Sequence, residues 1–175
     1  MYVFLDGVFG HHKSSGCTAS PEGYTPTGNT VNSPFNDNPG VDYNDANTVN
    51  FYKEVATYWI DALEIDGWRL DQAYQIHKNK VNCWDVIVSA VQAKCAARKA
   101  AGKEWGTLGY MVGEIWKGES DIKTYGYGNE GFNGLGSCFD FPMRYNLVQV
   151  LAREETNAYT DRRGNASLLA NGYAT

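Results

Sequence analysis

No stretch of the 175-residue chain reaches the ~18 consecutive apolar residues of a membrane-spanning helix. No basic run appears either, and the formal net charge is −5, with 15 Lys and Arg against 20 Asp and Glu. Neither a membrane nor nucleic acid is expected as a partner. No Gly-x-Gly-x-x-Gly and no P-loop directly follows a predicted strand, so a nucleotide-binding fold has no local support. Met1 to Leu5 enters an apolar strand directly, without the charged and long apolar segments of a signal peptide. Cysteine is sparse: Cys17, Cys83, Cys95 and Cys138, with no Cys-x-x-Cys pair to suggest zinc. Cys83 and Cys95 lie twelve residues apart on one predicted helix, roughly 18 Å at ~1.5 Å per residue, too far for a disulfide. Any bridge would have to join the two halves of the chain, and the redox compartment stays open.

What is present is an ordinary apolar fraction of 43% and a generous 14% of aromatics, including 12 Tyr and 5 Trp. The length suits one domain with a sizeable core. Tyr and Trp can stack on sugar rings, and they also fill cores. Tyr2 to Asp6 reads as a continuous apolar, buried parallel strand ending in an acid. His11 and His12 follow it. Adjacent side chains diverge and no third ligand stands at helical spacing, so one histidine is expected to hydrogen-bond a ligand or neighbour rather than hold a metal. Residues 13–47 form an irregular excursion of about 35 residues, the length of a functional loop. Tyr24, Phe35 and Tyr43 argue that it is ordered.

Val49 to Leu63 has a helical stripe of Tyr52, Val55, Ala56, Trp59 and Leu63, with Asn47 as N-cap. A second helix, about 81–100, would bury Trp84, Ile87, Val88, Val91 and Cys95 and stop at Gly102. Leu108 to Gly113 is the next strand and ends in Glu114. A glycine-rich loop, a short strand at 138–141 and a helix opened by Pro142 follow. After a polar stretch at 154–164, residues 167–175 return to mild helix. Strands alternating with helices predict an α/β fold with a parallel sheet.

The chemistry-bearing stretch is Ile65-Asp66-Gly67-Trp68-Arg69-Leu70-Asp71. Its alternation puts Arg69 and Asp71 on one strand face. An arginine does not give up its proton, so it favours the ionised form of a neighbouring carboxylate. Taken alone the pair reads as a structural ion pair. Asp6, Asp71 and Glu114, however, each stand at the C-terminal end of a predicted strand, the rim that carries chemistry in a (β/α)8 barrel. One carboxylate beside an arginine and one in an apolar setting, as at Gly113-Glu114-Ile115-Trp116, are what glycoside hydrolysis requires. The first attacks the anomeric carbon and the second protonates the leaving oxygen.

Three segments carry a resemblance. Asp6-Gly7-Val8-Phe9-Gly10-His11, Gly67-Trp68-Arg69-Leu70-Asp71 and Gly113-Glu114-Ile115-Trp116 resemble, in order, the first, second and third regions of the α-amylase family, glycoside hydrolase family 13. The resemblance covers nearly the whole chain. It implies a retaining glycosidase acting on α-glucosidic bonds of starch, maltodextrin or oligosaccharides. It implies a partial (β/α)8 barrel, about strands three to six, over residues 1–175, with a small inserted domain at 13–47 after the first strand. Asp71 would be the nucleophile, Glu114 the acid/base and Arg69 the group that orients Asp71. Asp6 would support the site, and His11, with His12 as its rival, would bind the sugar before the scissile bond. A Lys-His pair often follows the second region and contacts the leaving-group side. Tyr74 and Gln75 stand there, leaving Tyr74 as the substrate-binding candidate and the bond specificity open.

Gly10 replaces the family's usual Asn. Gly40, in the Asn38-Pro39-Gly40-Val41-Asp42 motif, replaces a usual Asp. Both positions supply oxygens to a calcium in many α-amylases, and glycine has no side chain to offer, so the calcium site is expected to be lost and no cofactor is expected. The first two strands and the region with the transition-state aspartate have no counterpart. The chain is therefore expected to be the central fragment of a longer enzyme, inactive alone and completed by the rest of its barrel. An α-glucan transglucosylase, or a non-catalytic carbohydrate-binding relative, is the alternative. The presence of both Asp71 and Glu114 favours an enzyme.

Overall fold

The computed structural model describes residues 1–12, 17–27, 41–74, 76, 83–127, 134–151, 167 and 170. Gly40, Phe35, Gln75, most of 152–175 and part of the 13–47 excursion lie outside them, as does the side chain of Cys83. The elements in order are strand β1 (Phe4–Val8), helix α1 (Ala46–Leu63), strand β2 (Gly67–Asp71), helix α2 (Cys83–Ala100) and strand β3 (Tyr110–Gly113). Then come a short helix α3 (Glu119–Asp121) that runs into a π-helical turn (Ile122–Tyr127), strand β4 (Ser137–Cys138) and helix α4 (Phe141–Leu151). The four strands form one sheet in the order β1-β2-β3-β4, every neighbour parallel.

β1 alternates rather than running as a continuous apolar core strand. Gly7 is buried, Leu5 is half-buried, and Phe4, Asp6 and Val8 are exposed. β1 is an edge strand and, among the described residues, helices cover one face of the sheet only, which leaves alternate side chains of β1 exposed. The strand also runs to Val8, which makes Asp6 its middle residue instead of its end.

The N-cap of α1 lies two residues before the expected one, Asn47. Asp45 is the N-cap, its carboxylate accepting the Asn47 amide at 2.9 Å. Its buried face is Thr48, Phe51, Tyr52, Ala56 and Ile60. Trp59 and Leu63, expected inside, are exposed. The helix is apolar around much of its girth, so two stripes fit the same spacing. The choice falls to the one facing Phe9 and Trp68, with Tyr52 against the Phe9 ring at 5.1 Å and the Trp68 indole donating to the Ala56 carbonyl at 3.0 Å. α2 buries Trp84, Ile87, Val91 and Cys95, with Val88 partly buried. Gly102 ends it at φ 75°, its amide donating to the Lys99 carbonyl. Cys17, Cys95 and Cys138 are free thiols.

Two ties set the loops above the strands. The Tyr43 hydroxyl donates to the Phe9 carbonyl at 2.6 Å, and the Val41 amide to the Gly10 carbonyl at 3.1 Å. Residues 41–43 thereby close over the turn after β1. Below the sheet, Gly67 is fixed by its neighbours. At φ 157° a Cβ there would overlap the Tyr110 carbonyl. In register, Gly67 lies between Phe4 and Tyr110, whose rings meet across it at 5.4 Å.

Candidate active site

The pairing register positions the acids. Asp6 is opposite Arg69, and Val8 is opposite Asp71. Leu70 is opposite Gly113, so the next residues along, Asp71 and Glu114, end their strands at the same level. Alternation keeps Asp6, Arg69, Asp71 and Glu114 on the face that no described helix covers, while Trp68, Leu70 and Met111 point into the core. The backbone seals this level: the Glu114 amide donates to the Leu70 carbonyl at 2.8 Å, and the Ala73 amide to the Glu114 carbonyl at 3.0 Å.

Arg69 is the hub. Its Nη1 lies 2.7 Å from Asp6 Oδ1 and 3.1 Å from Asp71 Oδ1, and its Nη2 lies 2.7 Å from Glu114 Oε2. The Phe139 ring lies 5.9 Å from the guanidinium carbon. The expectation of one carboxylate beside the arginine and one away from it is therefore corrected: Arg69 touches both. Neighbouring parallel strands in register bring Glu114 as near to Arg69 as Asp71 is, a relation between strands that no single stretch encodes. Burial opposes the charge on Arg69, but the Asp6 hydrogen bond and the charges of Glu114, Asp6 and Asp71 outweigh it and raise its proton affinity.

Glu114 holds its proton more tightly than an ordinary glutamate. Burial is the largest cause, and the hydrogen bond and charge of Asp71 add to it, against the pull of Arg69. The side chains of Asp71 and Glu114 are 24% and 20% exposed, while that of Asp6 is 66% exposed. The Asp6 bridge is thus the most solvent-screened of the three.

A cavity of about 470 Å³ opens in front of the acids, lined by Arg69, Asp71, Gln72, Tyr74, Glu114, Trp116 and Lys117. Among the residues expected from the sequence, Arg69, Asp71, Glu114 and Tyr74 are brought together here. Asp6 joins through Arg69 but does not line the cavity. His11, half-buried in the turn after β1, does not line it either. Gln72, Trp116, Lys117 and Phe139 are additions. Trp116 had a signal: continuing the alternation of β3 past Glu114 buries Ile115 and turns Trp116 to the side of Glu114. It is half-exposed, stacks on Phe141 at 5.9 Å and donates its indole N–H to the Tyr145 hydroxyl. Gln72 and Lys117 had none. Gln72 sits at φ 44°, a left-handed turn at a residue other than glycine, and Lys117 is set by a tight turn in which its amide donates to the Ile115 carbonyl at 2.8 Å.

No model of a protein family matches the chain. Among curated proteins it is 25% identical over 120 residues to alpha-amylase 3 of Dictyoglomus thermophilum, a match covering 67% of this chain and 20% of that protein. It is 28% identical over 105 residues to a cyclomaltodextrinase of Thermoanaerobacter pseudethanolicus, covering 60% of this chain and 15% of that protein. Among solved structures it is similar to AmyP in complex with maltose, with 41% identity and a TM-score of 0.75. It is also similar to an AmyP variant in complex with maltotriose, with 40% identity and a TM-score of 0.76. Both similarities cover 99% of this chain and 32% of the AmyP chain. The α-amylase of Geobacillus thermoleovorans complexed with acarbose shares the fold at a TM-score of 0.53 and 19% identity. The chain thus spans about a third of AmyP and a fifth or less of the curated relatives it matches. The sequence motifs and these similarities agree: over its length the chain is similar to proteins of the α-amylase family, glycoside hydrolase family 13.

Proposed function

We propose that this chain is the central part of a retaining glycosidase acting on α-glucans. Its four parallel strands correspond to about strands three to six of a (β/α)8 barrel, and residues 13–47 are the inserted domain. Parallel sheets are ordinarily covered on both faces, and the open face here is the one a closed barrel would turn inward. The observation that carries the functional reading is the pairing of Asp71 and Glu114 at the ends of β2 and β3, both held by Arg69, with the proton affinity of Glu114 raised. AmyP has been crystallised with maltose and with maltotriose, which supports an α-glucan as the substrate.

In this reading Glu114 gives its proton to the glycosidic oxygen as the Asp71 carboxylate attacks the anomeric carbon. The C–O bond breaks, the sugar departs as an alcohol, and a glycosyl ester forms on Asp71. Glu114, now ionised, takes a proton from water, whose oxygen displaces Asp71 and regenerates both groups. Arg69 positions the pair and balances the negative charge. Tyr74 and His11 bind sugar, and Asp6 steadies Arg69 from the neighbouring strand. The turn after β1 is not expected to hold a calcium, because Gly10 brings no side-chain oxygen to it. A transition-state carboxylate comes from outside these residues, so the 175-residue chain alone does not turn over maltooligosaccharides. Replacing Asp71 by Asn in the full-length protein tests the reading. Hydrolysis of maltotetraose should fall by about 10³-fold or more with the fold intact, and undiminished hydrolysis would sink the assignment.

A further inference from the structure

We propose that Lys117 is a specificity-determining residue that hydrogen-bonds hydroxyls of the sugar on the departing side of the bond being cleaved. The proposal rests on the reading of Glu114 as the acid and names the residue that reads the leaving sugar. The Lys117 ammonium lies 5.5 Å from the centroid of the Tyr74 ring. Tyr74 stands three residues beyond Asp71 and Lys117 three beyond Glu114, so the contact joins the loops after β2 and β3 at the cavity that both residues line. Tyr74 is a fixed floor: it is only 6% exposed, and its hydroxyl reaches Gln72 Oε1 at 3.4 Å. Lys117 belongs to an exposed loop, turned back by the bond from its amide to the Ile115 carbonyl.

The cavity lining contains two cations. Arg69 is engaged by three carboxylates. Lys117 sits against the Tyr74 ring, and Trp116 lines the same cavity. An ammonium seated against a ring face is located by charge and carries three donors. Vicinal sugar hydroxyls offer acceptors to such donors, while the apolar face of a pyranose packs on an aromatic ring. The acid protonates the departing oxygen, so the loop that carries Glu114 flanks the departing unit.

The test is Lys117→Met and Lys117→Arg in the full-length protein, assayed on maltotetraose and on p-nitrophenyl α-glucoside. The second substrate has an aryl leaving group without sugar hydroxyls. For Lys117→Met, kcat/KM on maltotetraose should fall about tenfold, chiefly through KM, as for loss of one hydrogen bond to a charged group. The loss on the aryl glucoside should be several-fold smaller, and Lys117→Arg should recover most of the difference. Equal losses on both substrates, or no loss on either, would overturn the proposal. Asp71→Asn separates the two readings. If it silences both substrates while Lys117→Met shows no selectivity, only the role of Lys117 fails. If Asp71→Asn leaves hydrolysis intact, the catalytic reading itself fails.

Discussion

The two faces of the four-stranded sheet are built to opposite specifications from alternate residues of the same strands. On one face Gly7, Trp68, Leu70, Met111 and Gly113 are buried, and Trp68, Leu70 and Met111 share one core with the inner faces of α1 and α2. On the other, Asp6, Arg69, Asp71 and Glu114 form a charged cluster that no helix among the described residues covers. β2 shows the division at single-residue resolution: Trp68 and Leu70 hold the fold, and Arg69 and Asp71 hold the chemistry. A strand with period two can serve both purposes because the two sets never compete for the same space. The difference teaches that damage to one face should be read in stability and damage to the other in rate.

The largest expected effect lies on the charged face. Glu114→Gln should lower kcat/KM on maltotetraose by about 10²–10⁴-fold, the usual worth of a positioned proton donor, and by less on an aryl glucoside whose leaving group needs little protonation. Its melting temperature should stay near that of the parent. On the packed face the signature reverses. Trp68→Ala removes a side chain that fills the space beneath α1 and donates to the Ala56 carbonyl, and should cost about 3–5 kcal/mol in denaturant unfolding. Gly67→Ala, at the opposite end of β2 from Asp71 and on the Arg69 side of the strand, comes next in size. Its Cβ meets the Tyr110 carbonyl, so β2 and β3 must part locally, a loss of about 2–3 kcal/mol in the same measurement.

The pH dependence of the site and that of the helical surface differ in sign. Glu114 binds its proton more tightly folded than unfolded, so its contribution to stability is present below the ordinary glutamate range and is lost as pH rises through its folded value. The alkaline limb of the activity profile should accordingly lie above the ordinary glutamate range. Asp61 runs the other way. The Lys94 hydrogen bond, at 2.6 Å, is the main cause that lowers its proton affinity, against a smaller burial term, with Arg98 assisting. Its contribution is present above the ordinary aspartate range and is lost as pH falls through its folded value. The smallest effect belongs there: Lys94→Ala on the helical surface should cost only about 0.5 kcal/mol by thermal or denaturant unfolding.

The parts of this arrangement legible in the sequence are those written in consecutive residues. Gly67 to Asp71 alternates visibly, Gly113-Glu114 ends an apolar run, and Trp84, Ile87, Val91 and Cys95 keep a helical spacing that the structure buries. What was not legible depends on relations between segments. Arg69 reaching Glu114 needs the β2–β3 register. The rotation of α1 toward Phe51 and Ile60, away from Trp59 and Leu63, was settled by what the helix packs on. Asp45 displaced Asn47 as the cap because two capping residues stand two positions apart and either could start the helix. The extension of β1 past Asp6 follows from Val8 pairing with Asp71, where the sequence showed only an acid at the end of an apolar run.

The central claim is that the open face holds a nucleophile at Asp71 with its acid/base at Glu114. The most direct measurement is peptide mass spectrometry of the full-length Glu114→Gln protein quenched during turnover of an α-glucosyl fluoride, a substrate whose leaving group needs no acid. The account predicts a glucosyl ester on the peptide containing Asp71, absent from the Asp71→Asn, Glu114→Gln double variant. A glucosyl ester on any other residue, or full turnover by the double variant, would contradict it.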